Sequence, residues 1–142
     1  MENQIETATA SAETVNLPRR IMASVRGYPF FIDGSSKREG LSPEAPTAGE
    51  MLLASLAGCA AIIVNSEARK REIPNFKASF VATCGRETAV PNQFTFITID
   101  AVVEGTSQQE AEELVRMYQD QCPIYALAVA GSKVTVNVKA VR

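Results

Sequence analysis

The chain has 142 residues, 46% hydrophobic and 21% charged, with a formal net charge of −2. That is apolar material for one ordinary globular domain, and the balanced charge argues against a nucleic-acid binder, which concentrates basic residues. Histidine is absent, which excludes Ser-His-Asp and Cys-His nucleophile pairs, histidine bases and imidazole metal ligands.

Residues 1–16 show no aromatic residue, no sustained periodicity and no basic-then-apolar leader. They are expected to form a mobile tail rather than a signal peptide, leaving 17–142 as a single domain. From Arg19 to Asp33, apolar residues interrupted by Gly27 and Pro29 predict two short strands joined by a turn. Residues 33–46, rich in Gly, Ser and Pro, predict a loop.

A helix is predicted from about Ala48 to about Glu72. Thr47 and Glu50 have the spacing of a capping box, and Pro74 stops the helix. Its first half, Met51 to Val64, is apolar all round. A helix buried on every side must be surrounded by a wrapped sheet or by a partner chain. At ~1.5 Å per residue it runs to roughly 37 Å, long for one small domain to enclose. The 14-residue apolar run is too short to span a bilayer, so no membrane partner is expected.

Phe76 to Cys84 and Gln93 to Glu104 alternate and predict two strands. Ser107 and Glu110 form a second capping box. Ala111, Leu114, Val115, Tyr118 and Cys122 follow at helical spacing. Pro123 breaks the register, Ile124 to Val129 predicts a further short helix, and Val134, Val136 and Val138 mark a last strand.

Three cysteines, Cys59, Cys84 and Cys122, stand 25 and 38 residues apart with no C-x-x-C. The pattern fits neither a secreted disulfide framework nor a zinc site, so no metal and no cofactor are expected, with reduced thiols in the cytoplasm. Cys59 lies in the most apolar stretch, where free cysteine ordinarily packs as a small hydrophobe. Its neighbours one turn away are Ser55, Leu56, Ile62 and Ile63, so a reactive thiolate there needs an Arg or Lys from elsewhere. Cys122 admits two readings. It is the last apolar residue of one helix, or it stands at the N-terminus of the next, where Pro123 takes the first position and the dipole favours a thiolate. Cys84 alternates with Phe80 and Ala82 and predicts core packing. Glu50 has a sufficient role in its capping box. Arg69, Lys70 and Arg71 complement the end of the helix dipole.

Two segments resemble the OsmC/Ohr family of thiol-dependent peroxidases. EAPTAGEMLLASLAGCAAIIV is similar to the family's central helix with its cysteine, and YQDQCPIYALAVAGSKVTVNV to its second Cys-Pro, short helix and terminal strand. The resemblance implies an α+β fold in which antiparallel sheets wrap two central helices in an intertwined homodimer. It implies that Cys59 attacks a hydrophobic organic hydroperoxide and that Cys122 resolves the product to a disulfide, which a thiol or dithiol reductant reopens. A paired Arg and Glu would hold the thiolate. Arg38 matches that arginine, with Arg20 and Arg26 as rivals, and Glu50 matches the carboxylate at the nine-residue spacing of some OsmC-like branches. Nine residues is about 13.5 Å along a helix, so Glu50 would serve the partner's site. The alternative is an OsmC-like protein that binds a small hydrophobic molecule, or acts in stress, without peroxidase activity.

Overall fold

Arg20–Val25 (β2) and Tyr28–Asp33 (β3) pair as the antiparallel hairpin that the sequence predicts. Arg26 and Gly27 turn the chain with φ of 51° and 82°, the two left-handed residues that a tight two-residue hairpin requires. Pro29 sits in β3, an outer strand of its sheet, where the missing N–H breaks no interior ladder. The computed structural model describes residues 3–35 and 39–142 and divides the chain into two units, residues 1–51 and 52–142.

In the first unit, Ala10–Thr14 (β1) adds a third strand, antiparallel to β2. The sequence predicts a mobile tail over residues 1–16, and β1 corrects that at Ala10–Thr14. All five residues of β1 are exposed, so the strand is held by backbone pairing and leaves no hydrophobic pattern to read. Beyond β3, Asp33 ties the loop: its carboxylate accepts the N–H groups of Ser35 (2.7 Å) and Glu44 (3.0 Å) and pairs with Arg20 (3.4 Å).

The long helix, Ala48–Lys70 (α1), starts at the expected capping box. The Thr47 N–H donates to the Glu50 carboxylate at 2.8 Å, and the Glu50 N–H donates to Thr47 Oγ1 at 3.3 Å. It ends just before Glu72, whose φ is 55°. Ile73 and Glu72 donate back to the carbonyls of Ala68 and Arg69, the bonding of a Schellman stop, and Pro74 follows.

In the second unit, Lys77–Gly85 (β4), Phe96–Glu104 (β5) and Val134–Val141 (β6) make one sheet in the order β4-β5-β6. β4 is antiparallel to β5, but β6 is parallel to it, which corrects the expectation of wholly antiparallel sheets. The physical reason is the connection: residues 105–133 hold the helices Gln108–Gln121 (α2) and Pro123–Gly131 (α3), and such a helical crossover permits parallel pairing. The core joins Leu56, Ala60, Val64 and Ala68 of α1 to Ile97, Ile99 and Ala101 of β5 and Leu114, Val115 and Tyr118 of α2. Each large apolar side chain buried there contributes about 1.5–3 kcal/mol.

Those α1 residues recur every four positions, so one stripe is buried rather than every face. Ile62 remains 72% exposed, as does Leu127 of α3. Taken as a whole helix, α1 is longer than its 14-residue apolar run. Its 23 residues, with mean hydropathy 1.6 over the most apolar window, reach the length and composition of a membrane span. Its packed stripe against β5 and α2 is that of a core helix.

Candidate active site

The site forms where α1 meets the junction of α2 and α3. Cys59 follows the buried Leu56 by three residues, which turns its side chain toward the same side of α1. Cys122 completes the buried stripe Ala111, Leu114, Val115, Tyr118 on α2 and is 2% exposed. It also caps α3, where Pro123 takes the first helical position and Cys122 Sγ accepts the N–H of Tyr125 at 3.3 Å. Both placements of Cys122 therefore hold together, because a single residue ends one helix and starts the next.

The two sulfurs meet. Cys122 Sγ donates to Cys59 Sγ at 2.8 Å, and both cysteines are free thiols. Bond formation requires closing to about 2.05 Å, well within the reach of side-chain rotation. Cys84 faces the core from β4, opposite Ile97, and forms no pair.

Burial, then the hydrogen bond and charge of Cys122, push the Cys59 thiol up to about 11. Burial likewise raises Tyr118, next to which the two cysteines lie. As it stands, then, Cys59 is a neutral thiol that a nearby cation must activate.

The other expected site residues fall elsewhere. Glu50 is engaged in the Thr47 cap, and Arg38 lies outside the described residues. Among the rivals, Arg20 is spent on Asp33 and Glu44 (3.4 and 2.9 Å) and lies over the Phe31 ring; Arg26 lies over Tyr28. The sequence reading missed the hydroxyl of Tyr118, which donates to the Leu56 carbonyl at 3.3 Å. The available signal was its place four residues before Cys122. An apolar cleft of about 170 Å³, lined by Leu52, Phe94, Ile97, Ile124, Leu127 and Ala128 among others, opens beside α3. Among the described residues, no group of three or more Cys, Asp or Glu side chains is placed to hold a metal ion.

A half-buried pair of adjacent thiols in an α+β fold defines a thiol-based redox site with one reactive and one resolving cysteine. The family model for OsmC-like protein matches residues 40–138, and the chain belongs to that family. An OsmC-like protein from Mycoplasma pneumoniae has the same fold, with a TM-score of 0.81 at 20% identity over 98% of this chain and all of that one. An organic hydroperoxide resistance protein OsmC from Legionella pneumophila matches with a TM-score of 0.76 at 20% identity, covering 96% and 99% of the two chains. Another organic hydroperoxide resistance protein, from Elizabethkingia anophelis, matches with 0.76 at 15% identity over 98% and 99%. No curated protein matches the chain.

Proposed function

We propose that the protein is a cytoplasmic, homodimeric peroxidase that reduces hydrophobic organic hydroperoxides with its own thiols. The observation that carries this reading is the 2.8 Å approach of Cys59 and Cys122, which lie 63 residues apart in the chain. The Legionella and Elizabethkingia proteins of the same fold are named for organic hydroperoxide resistance. In the proposed cycle the Cys59 thiolate attacks the distal peroxide oxygen, the O–O bond breaks, and the alkoxide leaves and is protonated to the alcohol. The resulting sulfenic acid is attacked by Cys122; the S–S bond forms and water departs. An external thiol or dithiol supplies two electrons to restore the pair.

Arg38 supplies the cation that brings Cys59 below its value of about 11, and Glu50 of one subunit orients that arginine in the other. The bare apolar surfaces at Ile62 and Leu127, each 72% exposed, support a second copy as the missing cover. A near-stoichiometric dose of cumene hydroperoxide is expected to give one Cys59–Cys122 disulfide per chain by peptide mapping. Cys122→Ser should stop at the Cys59 sulfenic acid and over-oxidise with excess peroxide, and Cys59→Ser should not react. Consumption of Cys84 or Cys122 first, with Cys59 still reduced, overturns the reading.

The apolar cleft favours a second reading, in which the protein binds a small hydrophobic molecule and the thiols are incidental. Tight binding of an aliphatic fluorescent probe by a protein inert to peroxide would carry that alternative.

A further inference from the structure

Cys122 is framed by two tyrosines. Its N–H donates to the Tyr118 carbonyl at 3.0 Å, and its sulfur accepts the Tyr125 N–H at 3.3 Å. The two rings meet edge to face, with centroids 5.2 Å apart, and the Tyr125 hydroxyl accepts from Gln119 Nε2 at 2.9 Å. The Tyr118 hydroxyl instead leaves its own helix and donates to Leu56 of α1. Leu56 precedes Cys59 by three residues, and Tyr118 precedes Cys122 by four. The Tyr118–Leu56 bond therefore lies about one helical turn from the sulfur contact on both helices. It forms one rung between α1 and α2, and the sulfurs form the next. Tyr118 is fully buried, and a phenylalanine would fill its volume without needing a partner for a hydroxyl.

We propose that Tyr118 is a positioning residue for the resolving step, its hydroxyl fixing α2 on α1 in the register that sets Cys122 beside Cys59. The proposal rests on the peroxidase reading for its catalytic consequence. Two reactions compete for the Cys59 sulfenic acid. Attack by Cys122 forms the disulfide and releases water. A second hydroperoxide instead transfers another oxygen, giving the sulfinic acid and an alcohol. The first depends on how well Cys122 is held, and the second only on peroxide concentration.

Tyr118→Phe keeps the ring and deletes the rung. At fixed cumene hydroperoxide it is expected to raise the ratio of Cys59 sulfinic acid to disulfide about fivefold, the size of one neutral hydrogen bond. In a Cys122→Ser background the same change should leave the rate of sulfenic acid formation, trapped by dimedone, within about twofold, since the hydroxyl bonds the Leu56 carbonyl and not the Cys59 sulfur. Val115→Ala, a core change without the rung, should lower thermal stability but leave the ratio alone. A ratio unmoved by Tyr118→Phe, or moved equally by Val115→Ala, overturns the proposal. A glutathione redox titration separates this from the peroxidase reading. If peroxide oxidises neither cysteine, that reading fails, yet Tyr118→Phe should still lower the equilibrium preference for the Cys59–Cys122 disulfide about fivefold. An unchanged titration overturns the positioning role.

Discussion

Asp33 and Cys59 are both acids drawn away from water, and their surroundings drive them in opposite directions. Asp33, 3% exposed, is held well below the usual carboxylate range. The side chain of Ser35 contributes most, followed by the backbone of Glu44 and of Ser35, and Arg20 contributes least; burial opposes them. Each donor stabilises the charged form. Cys59 has only the Cys122 thiol, a much weaker donor than the N–H groups that face Asp33. Its first influence is burial itself, and its sulfur partner is another acid, so the neutral form wins. Burial alone therefore does not decide the charge of a group; the number and sign of the dipoles aimed at it do. The first arrangement builds a fixed loop anchor. The second builds a thiol whose activation must come from outside the pair.

The largest effect expected from this contrast concerns that activation. With a value of about 11, Cys59 would be thiolate in only about one molecule in ten thousand at pH 7. The native protein is expected to alkylate at Cys59 with a pH midpoint well below 11, and Arg38→Ala is expected to return it toward 11. Iodoacetamide labelling against pH, read by mass spectrometry at Cys59, checks both. A native midpoint already near 11, or one that Arg38→Ala leaves in place, removes Arg38 from the site.

A smaller effect belongs to Asp33. Its folded value lies below its unfolded value of about 3.9, so the stability it contributes is fully present above that pH. That stability is lost as pH falls through the folded value. Asp33→Asn keeps the shape but cannot accept as a charge. It should lower the melting temperature at pH 7 and flatten the acid limb of the melting curve between pH 5 and strongly acidic solution. Unchanged acid sensitivity would place the proton-linked stability elsewhere, with the lowered carboxylate of Glu67 beside Lys70 the next group to examine.

What could be read in advance follows the range of each interaction. The caps at Thr47 and Ser107 were legible because their partners lie three residues away. The inward faces of β4, β5 and α2 were legible because periodicity is local. The parallel pairing of β6 was not, since it depends on where a two-helix crossover returns the chain. β1 was hidden because no side chain of it is buried. Within the site, the residue types at positions 59 and 122 were visible, but the Tyr118–Leu56 bond that aligns them spans 62 residues and leaves no spacing rule. Arg38, assigned by resemblance, lies outside the described residues.

The smallest effect separates two roles of Glu50, the acid whose only contacts among the described residues are with its own helix start. Thr47→Ala should cost about 1 kcal/mol of stability, as loss of an N-cap hydroxyl does. Glu50→Gln should cost less, because an amide oxygen can accept the Thr47 N–H in the same box. A cap alone therefore makes Thr47→Ala the more damaging change in every assay. A carboxylate that orients the arginine of a second subunit reverses that order for catalysis. Glu50→Gln is then expected to slow peroxide consumption while its melting temperature stays above that of Thr47→Ala. Denaturant melts and single-turnover peroxide kinetics on the two variants measure both orders. If Glu50→Gln consumes peroxide at the unaltered rate, Glu50 caps α1 and does nothing more.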